Sequence, residues 1–243
     1  MMQKQGKREI TTAYTSQQAN IYDQSRFTKP QGVCVHQREW TTLRTTLHLV
    51  KKEGRVLEVG CGTGRLLVEV QRLGYHVDGA DASPDMLDKL KEKLGPDGSD
   101  TSFWIAPADK LPCSNASYDL TYAIRLLNQT ESPEYALGVV GEMIRVTKPS
   151  GYVLVEFVNE WRPRWGMGKR KTTRLKPSEV AKAGIASGAS PMAYYGNFFL
   201  SMQAFHYSPA FLLPLVNGLD KLFSVLFPRF CSRCYVLFKK DAT

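Results

Sequence analysis

Between Arg55 and Val158 the chain switches repeatedly between short apolar runs and stretches in which apolar residues recur every three or four positions. The runs predict strands at 55–59, 75–80, 101–106, 118–123 and 152–158, and the helical spacing predicts helices at 63–73, 84–94 and 131–147. Ser83 followed by Pro84 suits the 84–94 helix, as an N-cap and a first helical residue. Strands alternating with helices imply an α/β fold, a parallel sheet with helices on both faces that binds ligands beyond the carboxyl ends of its strands.

The flanks follow the same logic less regularly. A helix over about 35–50 leads into the first strand through Lys51-Lys52-Glu53-Gly54, and residues 10–30 have the look of an N-terminal cap. Beyond Phe157 the pattern predicts a helix from Pro177 to about Ser187, a strand-like stretch from Asn197 to Tyr207, a long apolar helix opened by Ser208-Pro209, and a closing strand from Tyr235 to Lys239. In the long helix Leu212, Leu215, Val216, Leu219, Leu222, Phe223 and Leu226 fall at helical spacing, which predicts one face packed on the sheet. Asn217, Asp220, Lys221 and three prolines make Pro209–Phe230 too polar to span a membrane; an interfacial membrane contact is the alternative use of its apolar face.

The first strand carries an acid, Glu58, and stops at Gly60-Cys61-Gly62-Thr63-Gly64. Glycines reach backbone angles barred to other residues and let a ligand lie against bare main chain, while the following helix start presents unpaired N–H groups. The spacing is G-x-G-x-G rather than the dinucleotide G-x-G-x-x-G, and no Walker lysine follows, so a phosphate cradle is disfavoured. Seventeen residues beyond Gly64 the second strand ends in Asp81, placed to accept both ribose hydroxyls of an adenosine ligand.

Four ordered stretches now carry a family likeness: Glu58 to Gly64, Gly79 to Leu87, Leu111-Pro112 with Ser117-Tyr118-Asp119-Leu120, and Met143 to Gly151. Together they resemble the class I S-adenosylmethionine-dependent methyltransferases, specifically the group acting on small molecules such as quinones, lipids and natural products. The resemblance implies a Rossmann-like, doubly wound, seven-stranded and mostly parallel sheet with an N-terminal helical cap, closing in a hairpin of which one strand is antiparallel. It implies S-adenosylmethionine as cofactor, held by Gly60, Cys61, Gly62 and Gly64 through close backbone contact, by Glu58 at the amine end, and by Asp81 at the ribose with Ala82 and Met86 beside it. Ile124 and Arg125 would touch the methionine part, and Tyr22 and Arg26 would fold over the cofactor from the N-terminal cap. Relatives place an aspartate for adenine where Pro107 stands here, which shifts that contact to the Ala108 N–H and Asp109.

Methyl transfer from a sulfonium asks chiefly for in-line alignment and exclusion of water. A general base, where one is needed, is best sought at His206, in the aromatic-rich second half. Trp161, Trp165, Tyr194, Tyr195, Phe198, Phe199, Phe205, Tyr207 and Phe211 supply enough rings there for an apolar pocket, so the expected acceptor is a small or medium-sized, apolar or aromatic metabolite. The 243 residues read as one methyltransferase domain: a cap over 1–50, a cofactor-binding half over 55–158, a variable substrate side over 159–230 and a terminal strand over 231–243.

Charge and cysteine adjust this picture. The net charge is +9, and seven basic residues without an acid lie between Arg162 and Lys176. A solvated loop is the plain reading; contact with an anionic surface or with RNA is the sharper one, though no RNA-binding module is visible. A non-catalytic partner subunit is the third possibility, since fold does not dictate function. The five cysteines are scattered, and Cys231-Ser-Arg-Cys234 lacks the second pair or histidines that zinc requires, so no metal is expected and free thiols are. Met1 to Glu9 has no apolar signal region, and a cytoplasmic enzyme is the expectation.

Overall fold

The computed structural model describes residues 28–95, 100–162, 172–200, 205 and 207–242. Its elements are α1 (Pro30–Leu47), β1 (Arg55–Val59), α2 (Leu67–Arg72), β2 (His76–Asp81), α3 (Pro84–Leu94), β3 (Phe103–Ile105), β4 (Tyr118–Ala123), α4 (Pro133–Val146), β5 (Thr147–Val158), α5 (Pro177–Ala186), β6 (Ala189–Asn197), α6 (Leu213–Leu226) and β7 (Arg233–Lys240). The seven strands form one sheet in the order β3-β2-β1-β4-β5-β7-β6. β1 to β5 run parallel, and β7 enters antiparallel between β5 and β6. The expected mostly parallel, doubly wound sheet with a terminal antiparallel strand is what the chain adopts.

Alternate residues of the central strands feed two cores, because strand side chains point to opposite faces in turn. Val56, Leu120, Tyr122 and Leu154 pack with α1, α2 and α3 on one face; Leu57, Val59, Val153 and Val155 pack with α4 and α5 on the other. Helix starts are fixed locally. The Ser83 hydroxyl accepts the Met86 N–H and the Ser132 hydroxyl accepts the Tyr135 N–H, with Pro84 and Pro133 opening the helices.

Two readings of the second half are corrected. The penultimate strand is Ala189–Asn197, not 197–207; Phe198 leaves it in a left-handed conformation with φ 64°, which ends extended pairing. The long helix is also turned the other way. Its buried positions are Asp220 and Ser224, while Leu212, Leu215, Leu219, Leu222 and Leu226 are exposed. The cause is Arg38 of α1, itself buried, which pairs with Asp220 through Nη1 and Oδ2 and lies over the rings of Phe198 and Phe205. A buried carboxylate requires such a partner, and satisfying it draws the polar side of the helix inward.

Candidate active site

The carboxyl ends of β1, β2 and β4 open into a single cleft lined by Glu58, Gly60, Cys61, Gly62, Asp81, Ala82, Met86, Ala108, Ile124 and Arg125. Sequence reasoning singled out all ten, and the topology brings them together because the β2-β1-β4 order sets three strand tips side by side. Gly64 and Asp109 are not among the lining residues. A Cβ on Gly64 would come within 2.0 Å of Leu90 Cδ1, and φ there is +75°, so this glycine lets the turn close against α3. Asp109 is exposed at the rim and hydrogen-bonded to the Tyr135 side chain. Tyr22, Arg26 and His206 lie outside the described residues.

The glycine turn is tied to the neighbouring strand tip. Gly60 N–H and Cys61 N–H both donate to the Ala80 carbonyl, at 2.7 and 3.1 Å. Asp81 Oδ2 accepts the Gly62 N–H at 2.8 Å, and Oδ1 accepts the Ser83 N–H at 2.9 Å. Burial pushes the Asp81 carboxyl up, and the N–H groups of Ser83, Gly62 and Ala82 pull it partly back. A Cβ on Gly62 would meet nothing within 4 Å, so this glycine faces open space.

Glu58 sits opposite Tyr122 in the β1-β4 register, and the Tyr122 hydroxyl donates to its Oε2 at 3.0 Å. Burial pushes the Glu58 carboxyl up to about 8, against the opposing pull of the Tyr122 hydrogen bond and the Arg65 charge. A carboxylate so reluctant to ionise alone is suited to receive a cation. Cys61 is buried and its thiol is pushed well up, which leaves it a small apolar wall rather than a nucleophile.

Sequence reasoning missed the ionic frame behind this cleft. Glu39 of α1 accepts from Arg65 Nη2 at 2.5 Å through Oε2 and from Arg125 Nε at 2.6 Å through Oε1. Burial raises the Glu39 carboxyl, but Arg125 and Arg65 outweigh it and hold it below the ordinary carboxylate value. Both arginines line the cleft. Arg125 has φ 64°, and its N–H donates to Glu156 Oε2 at 2.7 Å. These partners stand 26 to 86 residues apart in sequence, so no local motif announces them. The remaining missed walls are Val59 and Ala80 in β1 and β2, and Thr63, Leu66, Ala106, Leu126, Gln129, Thr130 and Tyr135 from the loops after β1, β3 and β4 and the start of α4.

A 3-2-1-4-5-7-6 sheet with a glycine-turn cleft bounded by two strand-tip acids defines a class I methyltransferase fold. Residues 56–151 match the family model described as "Methyltransferase domain", so this stretch of the chain is similar to the S-adenosylmethionine-dependent methyltransferases. It is 33% identical over 127 residues to the uncharacterized methyltransferase C1B3.06c of Schizosaccharomyces pombe, covering 47% of this chain and 45% of that one. It is 34% identical over 124 residues to the demethylmenaquinone methyltransferase of Deinococcus radiodurans, covering 49% and 50%. The chain thus spans about half the length of these curated relatives. Among solved structures, the CcbJ methyltransferase of Streptomyces caelestis matches with a TM-score of 0.69 at 16% identity over 97% of this chain and all of that one, a likeness of fold.

The cleft residues fit S-adenosylmethionine, the family's cofactor. The open face of Gly62 is a cradle that a Cβ would fill. The Asp81 carboxylate, with about four lone-pair sites, keeps capacity for a hydroxyl donor beside the backbone N–H groups it accepts, and Glu58 is a buried acid with no salt bridge to a cation among the described residues.

Proposed function

We propose that this protein transfers a methyl group from S-adenosylmethionine to a small or medium-sized, apolar or aromatic acceptor. The observation that carries the reading is the convergence of Glu58, the Gly60–Gly64 turn, Asp81 and Arg125 at the three adjacent tips of β1, β2 and β4. In this reading Asp81 accepts the ribose hydroxyls, Glu58 receives the ammonium end, and Ile124 and Arg125 border the methionine part. Ala108 meets the adenine, beside the rim acid Asp109. The bound cofactor supplies an electrophilic methyl on a sulfonium; the chain's task is to orient an acceptor in line with it and to keep water out. The apolar side chains of Met86, Ala106, Ile124 and Leu126 support that exclusion. The Deinococcus relative's name refers to a quinone precursor, which supports an apolar ring acceptor here. The same reading makes the chain one domain acting in the cytoplasm.

Calorimetric titration with S-adenosylhomocysteine, followed by labelled methyl transfer to a panel of quinols, phenols and lipid amines, tests this. One-to-one binding with label in an organic-soluble product supports it. Binding without transfer to any acceptor until a second protein is added would turn the assignment to a partner subunit, and absence of binding would overturn it.

A further inference from the structure

The outward face of α6 is unusual for a protein surface. Leu215, Leu219, Leu222, Val225 and Leu226 lie on one side of it, with Val225 79% exposed, Leu215 62% and Leu222 55%. Phe211 precedes the stripe, also 79% exposed, and Phe227 and Phe230 continue it. Of the seventeen exposed large apolar residues among the described ones, ten fall between Tyr207 and Phe230. Scattered apolar residues are ordinary on surfaces, but a contiguous patch marks a contact. No described helix is long and apolar enough to cross a membrane.

The charge around this face is mostly positive, with Glu160, exposed beside Trp161 and 3.9 Å from Lys176, the acid at its edge. From Val180 to Lys240 the sequence holds a single acid, Asp220, and that side chain is buried against Arg38. The exposed charges bordering the patch are Lys221 on the helix and Arg229 just beyond it, the latter held over the Tyr194 ring at 4.0 Å. At the other side, Trp161 lies tilted against Phe230 with ring centres 5.9 Å apart, and the Arg162 guanidinium lies over Phe199, which stacks on Phe223 at 5.3 Å. An apolar face bordered by cations would repel its own copy across a twofold contact, and it matches the chemistry of a negatively charged lipid surface.

We propose that the α6 face docks the protein peripherally on an anionic phospholipid bilayer, with the leucine and phenylalanine side chains entering the interface and Lys221, Arg229 and Arg162 meeting headgroup phosphates. The inference stands apart from the methyl-transfer reading, because it is read by lipid binding alone. Flotation of the full chain with phosphatidylglycerol-containing vesicles and with pure phosphatidylcholine vesicles tests it, with light scattering of the free protein alongside. The expected result is a monomer that floats with the anionic vesicles, is released by high salt, and is left behind by the neutral ones. Leu222→Asp and Val225→Asp, both at exposed positions, should each lower the bound fraction at least about tenfold while leaving thermal melting unchanged. Lys221→Glu should weaken binding less and reduce its salt dependence. Failure of the wild type to float at low salt overturns the proposal, as does flotation of both aspartate variants at the wild-type level. A dimer that Leu222→Asp dissociates would give the face to a second copy instead.

Discussion

The carboxylate of Asp81 accepts the backbone N–H of Gly62, so the acid at the tip of β2 holds the glycine turn of β1. One side chain therefore serves the turn's geometry and, in the proposed reading, the ligand. Asp81→Asn keeps the shape and removes the charge, and Asp81→Ala removes both. Affinity for S-adenosylhomocysteine should fall about tenfold or more for the asparagine variant, roughly 1.4 kcal/mol, and further for alanine. Calorimetry reads both; equal affinity in wild type and alanine variant would remove Asp81 from the site.

Glu58 sets a pH dependence of unusual direction. Its carboxyl ionises near 4.5 when unperturbed and at about 8 in the fold. Between those values the folded chain keeps a proton that the unfolded chain has released, so this group's contribution to stability is present below 4.5 and declines as pH rises toward 8. The melting temperature of Glu58→Gln, plotted relative to wild type, should climb across that window. A pH-independent difference between the two would contradict the assignment.

The same residue predicts proton release on binding. If the cofactor's ammonium end meets Glu58, the carboxyl must ionise, and near neutral pH it gives up a proton. Titration with S-adenosylhomocysteine in buffers of different ionisation enthalpy should show that proton in wild type and lose it in Glu58→Gln, with wild-type affinity rising as pH approaches 8.

Gly62 and Gly64 separate ligand effects from folding effects. Gly64→Ala places a Cβ 2.0 Å from Leu90 at a left-handed φ, and should cost on the order of 1–3 kcal/mol in chemical denaturation. Gly62→Ala also has positive φ but open space, so it should lose less stability and proportionally more cofactor affinity. Matching losses of stability and affinity in the two variants would deny Gly62 a ligand-facing role.

Glu39→Gln tests the ionic frame. Breaking a buried pair on one side leaves the other uncompensated, typically at about 3–5 kcal/mol, and here two arginines lose the negative charge they share and one of its two acceptor oxygens. A strongly lowered melting temperature is expected, with partial recovery when Arg65→Gln is added. Additive losses in that double variant would mean that the two side chains act independently.

The strands 55–59 and 118–123 and the helix 84–94 were legible to the residue, because each is bounded by local chemistry: a glycine turn, an apolar run, a Ser-Pro cap. The Gly60–Gly62 turn and the Asp81–Ala82 corner of the cleft were legible for the same reason, whereas the loops after β3 and β4 were legible only at Ala108, Ile124 and Arg125. Glu39 was not, since its partners Arg65 and Arg125 are remote in sequence and nothing in the α1 pattern marks it. The strand Ala189–Asn197 was hidden by Pro191, Gly196 and small residues, which an outer strand at the end of the sheet tolerates. For α6 the period was right and the facing wrong. A hydrophobic stripe reveals that a helix has two sides, but which one turns inward was settled by Arg38, 182 residues from Asp220.

Glu156 joins two distant parts of the molecule: one carboxylate oxygen takes the Arg125 N–H and the other takes Arg233 Nη1, at 2.7 and 2.6 Å. Arg233 begins the last strand, β7, and Arg125 forms the left-handed corner beside the cleft. The antiparallel end of the sheet is therefore a tether as well as a wall. Trimming the chain before Arg233 would let go of a corner that no glycine is there to hold, and a defect made in the last strand would be felt at the strand tips that frame the cleft.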